Sequence, residues 1–234
     1  MQHGSPWTLT RWTTRAAAAA NRLRGRLPYQ ERCRELIARY APGRSFLDVG
    51  CMWKVDGAYA FHALAEGAAR VTGLDVSLAT PMFEACNQAS GGRVGFVQGD
   101  VNDPALASTL GAADVVFCSG VLYHVPNPIL TLQRLRGLCR ETLLLGCATI
   151  PELGHPQSAV FLPFLPAAAR AALTYRTGDE KIGLDGAFVP EWGYGNWFWG
   201  FTPSCVEAMA RAAEFEVTER YPYRHAICLV CRPR

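Results

Sequence analysis

Residues 45–50 read Ser-Phe-Leu-Asp-Val-Gly, an apolar run that stops on an acid, a β-branched residue and a glycine. A short apolar run bounded this way is the pattern of a strand buried on both faces. Glycine directly after such a strand lets backbone approach a ligand closely, because no Cβ intervenes. Residues 57–66, Gly-Ala-Tyr-Ala-Phe-His-Ala-Leu-Ala-Glu, then show helical spacing and good helix formers. The N-terminus of that helix offers free N–H groups to an anion such as a carboxylate.

Moving outward, the same alternation repeats. Strands are expected at 44–49, 70–75, 94–98, 114–118 and 142–147, with helices at 29–40, 57–66, 81–89 and 128–138. Pro128 opens the last of these, as proline favours a first helical turn. Strand–helix alternation at this spacing predicts a parallel sheet with helices on both faces. In such a sheet ligands bind beyond the carboxyl ends of the strands, near the switch point. Three of those ends carry an acid: Asp48 within the first strand, Asp75 closing the second, Asp100 just past the third. Asp75 follows Gly50 by 25 residues. An acid at a second strand end is placed to accept both hydroxyls of a ribose. Asp100, in Gln98-Gly99-Asp100-Val101, is placed to accept from an adenine amino group.

Residues 151–200 break the rhythm with five prolines and a crowd of aromatics, including Trp192, Trp197 and Trp199. They read as a cap over the carboxyl edge of the sheet. A helix is expected at 202–215, with Thr202 as N-cap before Pro203, and a strand pair at 216–221 and 225–231. Four segments result: a basic helical arm (1–40), a cofactor-binding core (41–150), a cap insertion (151–200), and a helix and strand pair completing the core (201–234).

Composition narrows the class. The chain has 234 residues, 50% of them hydrophobic, which suits one α/β domain with an inserted cap and excludes disorder. No apolar run reaches the roughly 20 residues that span a bilayer. Net charge is +3, yet residues 1–40 hold eight Arg against Glu31 and Glu35. Such an arm suits an anionic partner or a solvated helix face. Its acid-free first thirty residues share the composition of transit peptides, whereas heavy Ala, Arg and Gly usage favours a bacterial gene. Nine cysteines, an odd number without a secretory signal, point to reduced thiols in a cytoplasm. Cys228 and Cys231 have metal spacing, but in a strand they face opposite ways, and no second pair completes a site, so no metal is expected.

The segments FLDVGC (46–51), GLDVS (73–77), FVQGDV (96–101) and DVVFCSGVLYHVPNP (114–128), in this order and spacing, resemble the successive motifs of class I S-adenosylmethionine-dependent methyltransferases. The resemblance covers about residues 40–150. It implies a Rossmann-like, seven-stranded, mostly parallel sheet with helices on both faces and an antiparallel terminal strand. It also implies S-adenosyl-L-methionine as cofactor. On that basis Asp48, Gly50 and Cys51 lie at the methionine and sulfonium end, and Asp75 with Val76 at the ribose. Asp100 and Val101 hold the adenine, and Ser119 and Gly120 lie beside the methionine portion. One departure stands out. The family's Asp-x-Gly-x-Gly-x-Gly has Met52 and Lys54 in place of the later glycines, and Gly57 comes after a longer loop. Either Trp53 or Lys54 contacts the cofactor, or the loop bulges outward. A nicotinamide dehydrogenase is the competing Rossmann assignment, but its Gly-x-Gly-x-x-Gly is absent.

Tyr123 and His124 follow the fourth strand, where acceptor and cofactor would meet. His124, with an ordinary pKa near 6.5, suits removal of the acceptor proton, or alternatively shapes the loop. His155, Asp179, Asp185 and Glu191 in the cap are alternative bases. Trp192, Trp197 and Trp199 form either a substrate wall or cap core. The expected activity is O-methylation of a small molecule by in-line transfer. Competing expectations are a tRNA-modifying (carboxy)methyltransferase, similar around Gly120–His124 with Tyr123 and Lys54 holding an extra carboxylate, and a non-catalytic cofactor-binding subunit. Nucleic acid and membrane are not expected partners, while apolar cap surface is suited to a homodimer.

Overall fold

The computed structural model describes residues 27–173, 176–177, 180–181 and 186–234. Most of the basic arm, and Asp179 and Asp185, lie outside the described residues. The chain runs α1 (Tyr29–Tyr40), β1 (Ser45–Val49), α2 (Ala58–Ala65), β2 (Arg70–Asp75), α3 (Pro81–Ala89), β3 (Val94–Gln98), α4 (Pro104–Leu110) and β4 (Ala113–Ser119). It continues through a 3-10 turn (Leu122–His124), α5 (Pro128–Leu138), β5 (Cys139–Ala148), β6 (Ala159–Phe161), α6 (Ala167–Leu173), β7 (Trp199–Phe201), α7 (Pro203–Ala212), β8 (Phe215–Pro222) and β9 (Ala226–Pro233).

Seven strands form one sheet in the order β8-β9-β5-β4-β1-β2-β3. β1 through β5 are parallel, and β9 runs antiparallel between β5 and β8. The expected seven-stranded, mostly parallel sheet with an antiparallel last strand is thus the observed one. Strand alternation divides the core into two layers. Val116 and Cys118 of β4 join α5 and α7 on one face, while Val115 and Phe117 join α1 and α2 on the other. In β9 the same alternation sends Cys231 to the first layer and Cys228 to the second, where its Sγ lies 3.8 Å from that of Cys33.

Three helices start by one chemistry. Thr80, Asn127 and Thr202 each accept a hydrogen bond from a backbone amide three residues on, and each precedes a proline in the first turn. Such a cap contributes about 1 kcal/mol, and proline there loses nothing because its missing N–H would be unpaired anyway. Among the described residues no helix is long and apolar enough to cross a membrane.

α4 and the elements inside the cap escaped the periodicity. α4 has only seven residues, too few for a pattern to emerge. β6 and β7 pair antiparallel inside the cap, Phe161 against Trp199, joining residues 38 apart in sequence. α1 does more than carry charge. It buries Cys33, Leu36 and Ile37 and lays Tyr29 across the sheet edge, where its Oη meets Ser119 Oγ at 2.8 Å. The ring fits because position 146 is glycine: a Cβ there would stand 2.2 Å from Tyr29 Oη and 2.6 Å from Ser119 Oγ.

Gly146→Ala is therefore expected to lower unfolding stability by about 1–3 kcal/mol through overpacking, read by thermal or urea denaturation. Adding Tyr29→Phe removes the nearest clashing atom and recovers part of the loss. A Gly146→Ala protein as stable as wild type would contradict this placement of Tyr29.

Candidate active site

The sheet order reverses between β1 and β4, so the loops leaving these strands part toward opposite faces and open a crevice. Gly50 and Gly120 stand at its two lips. Both take positive φ, +80° and +83°, which only glycine adopts without strain. A Cβ on Gly50 would lie 2.5 Å from Val121 Cγ2 of the opposite loop, and one on Gly120 would lie 3.3 Å from Tyr123 Oη.

The glycine-poor loop after Gly50 folds both inward and outward. Cys51 and Met52 are buried, with Cys51 Sγ packed over Gly73, where a Cβ would come within 2.8 Å. Trp53 then turns outward, 66% exposed, and Lys54 beside it is exposed too. Lys54, Asp56 and Gly57 take positive φ, and Gly57 N returns to Cys51 O at 2.7 Å. The loop thus bulges outward at Trp53 and Lys54.

Asp75 is held at both oxygens. Met52 N donates to Oδ2 at 2.7 Å and Ser77 N to Oδ1 at 2.8 Å. Each oxygen keeps a second lone pair, and the carboxylate plane is fixed, as recognition of a vicinal diol requires. Past it, Val76 and Leu78 expose apolar surface. Asp48 is in a different state. It is 1% exposed, and its Oδ2 has no partner. Burial raises its pKa to about 7, helped by the nearby Asp75 carboxylate and opposed by the Ala60 amide. A buried carboxylate oxygen without a partner suits an added cation. Asp100 receives Asn102 N on Oδ1 at 2.8 Å and the Tyr194 hydroxyl on Oδ2 at 2.5 Å. Val101 is buried in the core beside it.

The Leu122–His124 turn is bound to the cap. His124 Nδ1 lies 2.7 Å from Asn196 O. A carbonyl only accepts, so Nδ1 carries the proton and Nε2 keeps its lone pair. Burial holds this imidazole below the ordinary histidine pKa. Tyr123 stacks on Trp197 with ring centroids 3.9 Å apart, and its carbonyl accepts from Phe198 N at 2.8 Å. Burial pushes the Tyr123 phenol up, so it stays protonated.

The expected residues therefore separate. Asp48, Gly50, Cys51, Asp75, Ser119 and Gly120 gather on the ends of β1, β2 and β4, and Val76, Asp100 and Val101 flank them past β2 and β3. Tyr123, His124 and Trp197 form one aromatic cluster. Trp199 instead packs with Phe161 and Phe201 and bonds Pro126 O through Nε1. Trp192 is 60% exposed, and His155 and Glu191 are exposed as well. Tyr29, Tyr194 and Asn196 escaped the sequence. Their partners lie 90, 94 and 72 positions away, a separation that no local pattern encodes.

The site fits S-adenosylmethionine on its own chemistry. The ligand's cationic methionine end suits the unpaired oxygen of Asp48, its ribose diol the fixed Asp75, and its adenine amine Asp100.

Comparison with known proteins places residues 47–142 in the methyltransferase domain family. The chain is similar to a ubiquinone biosynthesis O-methyltransferase of Cronobacter sakazakii, 40% identical over 142 residues, 60% of this chain and 50% of that protein. It is also similar to a tRNA U34 carboxymethyltransferase of Shewanella denitrificans, 34% identical over 153 residues, 58% of this chain and 44% of the relative. The matches thus span about half the length of these curated relatives. Among solved structures, the fold is shared with the Burkholderia thailandensis 1,6-didemethyltoxoflavin-N1-methyltransferase, bound to its acceptor and S-adenosylhomocysteine. The TM-score is 0.57 at 17% identity, covering 100% of this chain and 92% of that one. Four motifs in register, a sheet that reverses between β1 and β4, three acids at its carboxyl edge and the matching family model lead to one assignment: residues 47–142 carry a methyltransferase domain of the S-adenosylmethionine-dependent class.

Proposed function

We propose that this protein methylates a small-molecule acceptor at an oxygen, with His124 as general base. The observation that carries this is the His124 imidazole at the lip of the β1–β4 crevice, fixed as its Nδ1–H tautomer by Asn196 O. S-adenosylmethionine supplies an electrophilic methyl group on a sulfonium. Asp48 and Ser119 would hold its methionine end, Asp75 its ribose, and Asp100 with Val101 its adenine. Gly50 and Gly120 keep the lips of the crevice free of side chains.

Proton removal falls to His124. Nε2 takes the acceptor's proton while Nδ1–H keeps its bond to Asn196 O, which stabilises the imidazolium that forms. Because its pKa lies below the ordinary range, the imidazole is already neutral at pH 7 and ready to accept. The Tyr123–Trp197 stack gives a flat apolar wall that positions the acceptor and excludes water. Oxygen is favoured because a hydroxyl must lose a proton as it is methylated, and a base stands ready.

A second reading, modification of tRNA, draws on the similarity to the carboxymethyltransferase. Lys54, which that reading pairs with Tyr123, stands exposed on the outward loop, whereas Tyr123 is stacked against the cap. Salt-sensitive retention on tRNA would favour it.

Two outcomes follow. His124→Ala is expected to lower kcat by about 10²–10⁴ with S-adenosylhomocysteine affinity unchanged in calorimetry. The wild-type rate should fall only in acid, below the ordinary histidine range. Turnover near wild type would remove His124 from the reaction. For Asp48, the folded pKa is about 7 against an ordinary 3.8. Between these values the native state holds a proton that the unfolded chain releases, so stability falls as pH rises through that window, by about 4 kcal/mol at most. Asp48→Asn should remove this slope in thermal melts from pH 4 to 8 while weakening cofactor binding. A slope that survives the substitution would assign it to another group.

A further inference from the structure

Tyr194 reaches from the cap to the carboxylate that the reading above gives to adenine. Its Oη donates to Asp100 Oδ2 at 2.5 Å across 94 positions of sequence. The other oxygen of Asp100 already accepts Asn102 N, and Thr131 Oγ1 holds the Asn102 side chain at 2.9 Å. The Asp100 turn is thus tied down from below, and its other oxygen accepts from a residue above. A phenol donating to a carboxylate is a charge-assisted bond, stronger than one between neutral groups. Burial and the Asp100 contact both raise the phenol pKa, so Tyr194 remains a donor at neutral pH.

The segment that carries Tyr194 is stiff and short. It belongs to the 3-10 stretch Pro190–Gly195, with a kink at Gly193, φ 50°. Asn196 is buried, and its side chain closes this loop with bonds to Val189 N, Val189 O and Gly193 O. From the same stretch come the contacts on the other loop: Asn196 O to His124 Nδ1, Trp197 onto Tyr123, and Phe198 N to Tyr123 O. Five consecutive residues, 194–198, therefore touch both the acid beyond β3 and the proposed acceptor turn beyond β4.

We propose that Tyr194 is a built-in occupant of the adenine subsite, a latch that the cofactor must displace from Asp100 and whose release is passed through Asn196–Phe198 to Tyr123 and His124. This rests on the assignment of Asp100 to adenine. An adenine amine that hydrogen-bonds Asp100 competes with the Tyr194 hydroxyl for the same carboxylate. Part of the cofactor's binding energy is then spent opening the latch. The cost is moderated because Tyr194 is only partly buried. Coupling is reciprocal: whatever loosens the cap at His124 also eases cofactor entry.

The test is calorimetry of the full chain with S-adenosylhomocysteine, alongside hydrogen exchange of residues 189–198. Tyr194→Phe removes one hydroxyl from a partly exposed ring and should bind about 3–10-fold tighter. Asp100→Ala placed on Tyr194→Phe, where no latch remains, should bind more weakly than Tyr194→Phe alone. In the wild type the ligand should raise exchange in 189–198, and ligand-free Tyr194→Phe should already show the raised level. Unchanged or weaker binding by Tyr194→Phe overturns the latch, as does a ligand that slows exchange, which would make Tyr194 a wall of the pocket. If the double variant binds like Tyr194→Phe, the adenine assignment falls and the latch with it. If the double variant is weakened and Tyr194→Phe itself binds like wild type, only the latch falls.

Discussion

The hydrogen bond from Met52 N to Asp75 Oδ2 is the stitch on which the site depends. It joins the loop leaving β1 to the end of β2, so that one carboxylate fixes two neighbouring loops. A loop with few glycines needs such a tether. Non-glycine residues in the left-handed region cost of order 1 kcal/mol or more each, and this loop has two, Lys54 and Asp56. Burial of Cys51 and Met52, the Gly57–Cys51 backbone bond and the Asp75 contact offset that strain. Met52 takes a position where the family pattern has glycine because only its backbone amide is needed there. Its side chain goes into the core, and the chain turns outward at Trp53.

The same edge concentrates negative charge where water is scarce. Asp48 and Asp75 leave adjacent strands, and only one of them is well partnered. A buried acid with a free oxygen is a standing cost to the native state. In Rossmann-like sheets such acids stand where the ligand binds, beyond the carboxyl ends of the strands, and the cost is recovered when a cationic ligand arrives. That view treats the stability of the ligand-free protein and the affinity of the site as two sides of one electrostatic arrangement.

The cap works through two loops at once. Ile150 and Leu162 form a small core beneath its hairpin, Phe201 of β7 is buried in the main core, and aromatic stacking and a few directional bonds tie the cap to the loops. Interfaces of that kind move as units and register one another's contacts. The donor to Asp100 and the acceptor from His124 stand within three residues of each other in the cap.

How much of this was legible in the sequence follows the range of the interactions. The alternation of strands and helices, the N-caps at Thr80, Asn127 and Thr202, and the acids at three strand ends are local patterns set by the periods of strand and helix. They were readable from residue order, as was the family resemblance built on them. The odd glycine loop was legible as a departure, but not its direction, because that depends on which side chains the core can accept. Tyr29 against Ser119, Asn196 against His124 and Tyr194 against Asp100 join positions 72 to 94 residues apart. Nothing in an aromatic-rich, glycine-spaced stretch says which acid its tyrosine will meet. The sequence by itself determined the sheet, its polarity and the edge where a ligand binds, because these follow from periodicity and strand-end chemistry. Only the tertiary structure decided how the cap is held, since that rests on contacts between side chains brought together by the packing of distant segments.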